Sequence, residues 1–114
     1  MRAPVDAVWD VLVDTDRWPE WGPSVRAVDV PVRRIERGTT GRVRIPGGVW
    51  VHFEVTACEP YRWSWDVARI PATGHTVEPL GADRCRVAFD MSLLAGGYAP
   101  VCREALSRIA TIVA

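Results

Sequence analysis

The spacing of hydrophobic residues divides the chain into three stretches. Over residues 4–13, Val5, Val8, Trp9 and Leu12 fall on one helical stripe with Asp6 and Asp10 off it, and Pro4 suits a first helical position, which predicts a short amphipathic helix. DTDRWPEWGP, residues 14–23, opens on the capping types Asp14 and Thr15, contains Pro19 and stops at Gly22-Pro23, so a second helix there is a turn or two long. From Val25 the period is two. Val alternates with Arg or Asp through residue 35, a turn spans Gly38 to Gly41, RVRI follows at 42–45, and Pro46-Gly47-Gly48 turns the chain again. VWVHFEVTA at 49–57 and YRWSWDVA at 61–68 alternate on either side of Glu59-Pro60; a run from Pro71 reaches Val77; Pro79 and Gly81 mark a turn; RCRVAFDMSL covers 84–93. Gly96-Gly97 then releases a last helix, 98–114, in which Tyr98, Val101 or Cys102, Ala105, Ile109 and Ile112 share a face. Two short helices, about six antiparallel strands and one long helix, segregated along the chain, predict an α+β fold.

Strand parity sorts the side chains, because alternate residues point to opposite faces of a sheet. With the apolar parity turned inward, Phe53, Trp63, Trp65, His75, Val77 and Phe89 lie on the inner face, and Arg42, His52, Glu54, Arg62, Arg84, Arg86 and Asp90 lie on a solvated outer face. One helix covers a strip about 10 Å wide, less than half the width of six strands about 4.8 Å apart, so the sheet must curve to close over it. A curved sheet gripping a helix leaves interior space lined by its large side chains, the usual form of a small-molecule site. Two readings of these aromatics stay open: a filled core, or the lining of a cavity.

At 114 residues the chain fits one domain, residues 1–114. Its 14 Arg balance 14 Asp and Glu, so no overall basic field favours nucleic acid, although the first two dozen residues are acidic and residues 25–50 are Arg-rich. The sequence has no Lys, which excludes a P-loop lysine, a Schiff-base nucleophile and covalently held pyridoxal phosphate. Cys58, Cys85 and Cys102 are widely spaced without a C-x-x-C and read as reduced small hydrophobes. His52 and His75 have opposite parity, so no metal site is indicated and no cofactor is expected. No serine sits in a G-x-S-x-G elbow. No apolar run is long enough to span a membrane and no export signal opens the chain, so a cytoplasmic protein without stable membrane insertion is expected.

APVDAVWDVLVDTDRWPEW at 3–21, Gly41 ahead of the third strand, EPYRWSW at 59–65 and the long final helix together resemble the SRPBCC, or START-like, superfamily, particularly its polyketide cyclase/dehydrase and lipid-transport branch. The resemblance implies a helix-grip fold: a curved antiparallel sheet wrapped around the C-terminal helix. It also implies a strand before the first helix, which this sequence lacks: either the natural start lies upstream of Met1, or residues 84–93 form an exposed edge able to pair with a second copy.

The expected function is binding or carriage of a small hydrophobic or aromatic molecule between the sheet and the last helix, at Phe53, Trp63, Trp65, His75, Val77, Phe89, Tyr98, Val101 and Ala105. The alternative is an aromatic polyketide cyclase/dehydratase that confines its substrate, with His75 and Tyr98 as candidates for proton transfer. Trp18 and Trp21 are read as a hydrophobic plug between the helical corner and the sheet.

Overall fold

The computed structural model describes residues 1–91 and 99–114. Helix α1 (Val5–Val13) buries Val8, Trp9, Val11, Leu12 and Val13, and Pro4 stands just outside it with extended backbone rather than in its first turn. A 3₁₀ turn (Thr15–Arg17) capped by the Asp14 carboxylate leads into α2 (Trp18–Trp21), both of whose tryptophans are buried. The six strands are β1 (Ala27–Asp29), β2 (Thr40–Arg44), β3 (Trp50–Glu59), β4 (Arg62–Val67), β5 (Ile70–Gly81) and β6 (Arg84–Met91), joined antiparallel in sequence order. Helix α3 (Ala99–Val113) buries Cys102, Ala105 and Ile109, the expected stripe, and packs against α1 and α2. This is the helix-grip arrangement, a curved sheet around the C-terminal helix.

Three departures have local causes. Only residues 27–29 of the alternating segment 25–35 join the sheet. Beyond Pro31 the chain leaves it and ties to the end of α1: the Thr15 N–H donates to the Arg33 carbonyl at 2.7 Å, the Ile35 N–H to the Val13 carbonyl at 3.0 Å, and Arg33 pairs with Asp14 at 2.9 Å. The Val13 carbonyl at the helix end, the Thr15 N–H and the buried Asp14 carboxylate outcompete a longer β1. A bulge between Val55 and Ala57 moves Cys58 to the inner face opposite Trp63 and exposes Ala57. Strand β5 runs on through Pro79, which pairs with Cys85. Pro79 would direct an N–H toward β4, as Val77 does to Tyr61, but β4 begins its pairing at Arg62↔Thr76, so the missing donor costs nothing there.

Strand β6 forms one edge of the sheet. At Cys85 that edge is paired: the Met1 amine donates to the Cys85 carbonyl at 2.7 Å and the Cys85 N–H donates to the Met1 carbonyl at 3.0 Å. Val87, Phe89 and Met91 share this parity, so their backbone groups face the same edge.

Candidate functional site

The register places Trp63 of β4, His75 of β5 and Phe89 of β6 in one cross-strand row on the inner face. Trp63 and His75 stack with ring centroids 4.0 Å apart and planes within 23°, and Phe89 meets His75 edge-on at 4.7 Å. On its other face Trp63 stacks against Trp18 at 5.3 Å, the two planes 4° apart. Trp65, one inward position along β4, meets both Trp18 and Trp63 edge-on.

Helix α2 delivers Trp18 and Trp21 because α1 ends just before it. The last carbonyls of a helix lack intrahelical partners. Here the Trp18 Nε1–H donates to the Leu12 carbonyl at 2.9 Å and the Trp21 Nε1–H to the Val11 carbonyl at 3.2 Å. Each indole thereby satisfies its own N–H and turns its ring toward the sheet.

His75 is 2% exposed and sits in a hydrogen-bond chain that fixes its tautomer. Its Nδ1 lies 3.2 Å from the Trp63 carbonyl oxygen, which can only accept, so Nδ1 carries the proton. Its Nε2 therefore accepts, at 2.8 Å, from the Thr73 hydroxyl, whose oxygen in turn accepts the Trp65 Nε1–H at 3.1 Å. Burial pushes the imidazole pKa down to about 3, outweighing the opposite pull of the hydrogen bond to Trp63. Neutral, with both nitrogens engaged, His75 has no lone pair or proton free for a substrate in this arrangement.

Between this aromatic wall and Val101, Cys102 and Ala105 of α3 lies a small cavity of about 30 Å³. It shares Ser24, Val25, Trp65 and Thr73 with a wider cleft of about 320 Å³, whose remaining lining is Val43, Ile45, Pro46, Val67 and Ala72. No Asp, Glu or Arg lines either space among the described residues.

Trp63, Trp65, His75, Phe89, Val101 and Ala105 thus border the inner cavity, as expected from parity and helix periodicity. Phe53 and Val77 do not line it: Phe53 is 3% exposed, packed edge-on to Trp18 and Trp65, and Val77 is buried on the part of the sheet that faces α1. Tyr98 lies outside the described residues. Sequence reasoning missed the outer cleft, the lining role of Trp18 and Trp21, and Thr73, whose shared parity with His75 and Val77 was the available signal. Among the described residues no three His, Cys, Asp or Glu side chains are grouped to hold a metal ion, and no described helix is long and apolar enough to cross a membrane.

On the outer face Arg62 reaches across β5 to Asp90 at 2.7 Å, passing over Gly74, where a Cβ would come within 2.5 Å of the Asp90 carboxylate. The pair holds the Asp90 carboxyl below the usual carboxylate range.

Solved structures share this architecture. XoxI from Bacillus cereus superposes with a TM-score of 0.73 at 11% identity, covering 99% of this chain and 89% of that one. Ms6760 from Mycobacterium smegmatis gives 0.63 at 18% identity, covering 98% and 85%. DynU16, a protein of the dynemicin biosynthetic locus, gives 0.63 at 24% identity; the match covers 97% of this chain but 43% of DynU16. No functionally curated protein matches the sequence. The family model described as polyketide cyclase / dehydrase and lipid transport matches residues 1–112, almost the whole length over which the helices and sheet have been traced, and the chain belongs to that family.

Proposed function

We propose that the protein binds, and in its biological setting carries, a neutral hydrophobic or aromatic small molecule that enters the outer cleft and reaches the aromatic wall. One observation carries this reading: an apolar cleft of about 320 Å³ meets a polar but fully hydrogen-bonded Thr73–His75 pair, with no ionised side chain in its lining among the described residues. Apolar surface surrounding a few fixed polar groups is the common character of small-molecule sites. Titration with the uncharged dye Nile red tests it. Saturable one-to-one binding, weakened by Ala72→Phe at the cleft, is expected; absence of saturable binding to the wild type overturns it.

A second reading, aromatic polyketide cyclisation, draws support from the family's description and from the biosynthetic locus of DynU16. The form the site favours is confinement, in which the walls bring reacting carbons of a flexible poly-ketone together. His75, neutral with both nitrogens engaged, then acts as a positioning residue. Turnover of a poly-ketone should survive His75→Gln, and a loss of roughly 10²-fold with unchanged substrate affinity would return general acid–base chemistry to His75.

The edge parity of Val87, Phe89 and Met91 also supports pairing of two copies through β6. Light scattering at micromolar concentration is expected to report a dimer, and a monomer overturns this part of the reading.

A further inference from the structure

Four indoles border the inner cavity: Trp18, Trp21, Trp63 and Trp65. Three have their N–H groups committed within the protein, to the Leu12 carbonyl, the Val11 carbonyl and the Thr73 hydroxyl. The fourth, Trp63 Nε1–H, is completely buried and meets no acceptor among the described residues. Buried donors left without an acceptor are rare and costly in folded proteins, and this one belongs to a residue that lines a cavity.

The rings around Trp63 restrict how it can be reached. Trp18 covers one face and His75 the other. Only the ring's edge is available, and the polar atom on that edge is Nε1. An indole N–H donates and cannot accept. The neighbouring polar groups add no competing demand: the Thr73 hydroxyl proton is spent on His75, both imidazole nitrogens are engaged, and Ser24 has a partner of its own. With no charged side chain in the lining among the described residues, an ionised group on a ligand would be desolvated with no counter-charge there. A ligand hydroxyl would bring a proton of its own that needs an acceptor.

We infer that the Trp63 indole N–H is the hydrogen-bond donor for the bound molecule, which is therefore a neutral aromatic carbonyl compound with a ketone or quinone oxygen set against the edge of the Trp63 ring. The inference rests on the binding reading above and adds to it the ligand's chemical class and the atom that reads it.

Two probes of nearly the same shape, 9-fluorenone and fluorene, separate the two claims on the ¹⁵N-labelled wild-type protein. Both are expected to bind, fluorenone about three- to tenfold more tightly, the range that one net hydrogen bond supplies. The Trp63 Nε1–H resonance is expected to move downfield and exchange more slowly with water under fluorenone alone. Trp63→Phe should bring the two affinities together; if that variant does not fold, the wild-type spectra decide. Equal affinities with the Trp63 N–H unmoved, or tighter fluorenone binding that moves a different indole, overturn the donor assignment and leave the binding site intact. Failure of both probes to bind overturns both.

Discussion

His75 lies face to face with Trp63 at 4.0 Å and donates its Nδ1–H to the carbonyl of that same residue at 3.2 Å. One residue of β4 therefore fixes both the plane and the tautomer of a side chain on β5. The imidazole is held neutral, with a pKa pushed down to about 3 chiefly by burial. In the unfolded chain it takes up a proton near the ordinary value of about 6.5, so the unfolded state gains the proton first as pH falls. Stability from this group is complete above about pH 6.5 and is lost toward pH 3, at up to about 1.4 kcal/mol per unit. Urea melts between about pH 7 and 5 should show the loss. His75→Gln should flatten that interval and leave the steeper fall below about pH 5, where Asp14 and Asp90, held low by Arg33 and Arg62, take up protons.

Thr73 joins Trp65 to His75, donating to one and accepting from the other. Thr73→Val keeps the shape and deletes both bonds, leaving a buried imidazole nitrogen and an indole N–H unpaired. A cost of about 2–4 kcal/mol in denaturant melts is expected, from two unsatisfied groups at roughly 1–3 kcal/mol each with partial relaxation. Thr73→Ser, which restores the hydroxyl, should recover most of it.

Gly41 is required by contact rather than by turn geometry. A Cβ there would stand 2.7 Å from the Asp29 carbonyl oxygen and 3.0 Å from the Phe53 ring. Backbone on one side and a buried ring on the other leave no flexible end to yield. Gly41→Ala is expected to cost about 2 kcal/mol or more by overpacking, whereas Gly74→Ala, which meets only the ends of Asp90 and Arg62, should cost less than 1 kcal/mol because exposed ion pairs contribute little. Equal losses at the two positions would contradict this ranking.

The outer cleft can be filled without disturbing the core. Ala72 lines it and is half-buried, outside the hydrophobic core of the protein. Ala72→Phe is expected to leave the thermal midpoint within a few degrees of the wild type and to weaken Nile red binding at least tenfold. Unchanged binding would move the entrance elsewhere.

Much of this arrangement was legible in the residues. Period-two alternation located β2 to β6 and put Trp63, Trp65, His75 and Phe89 on one face, since parity needs no knowledge of what lies opposite. The bulges at Val55/Ala57 and Ser64/Asp66 were not legible, because an extra residue in one strand is defined by its partner's register. The segment 25–35 read as strand for a related reason: alternation signals a half-buried edge but does not exclude pairing with a helix end, which is where Arg33 to Ile35 go. The lining role of Trp18 and Trp21 depends on carbonyls of α1 close to them in sequence, yet the direction of each ring is set by tertiary geometry. Thr73 was passed over because a threonine in an apolar parity looks like an interruption until its hydroxyl is seen between two rings.

Chemical-shift mapping of the ¹⁵N-labelled protein during titration with fluorene shows whether a neutral hydrophobic molecule occupies the cleft bounded by β2, β4 and β5 and reaches the aromatic wall. Saturable one-to-one shifts concentrated at Val43, Trp65, Val67, Ala72 and Thr73 are expected, with the outer-face residues Arg62, Arg86 and Asp90 unmoved. Non-saturating shifts, or shifts centred on the outer face, would contradict that occupancy.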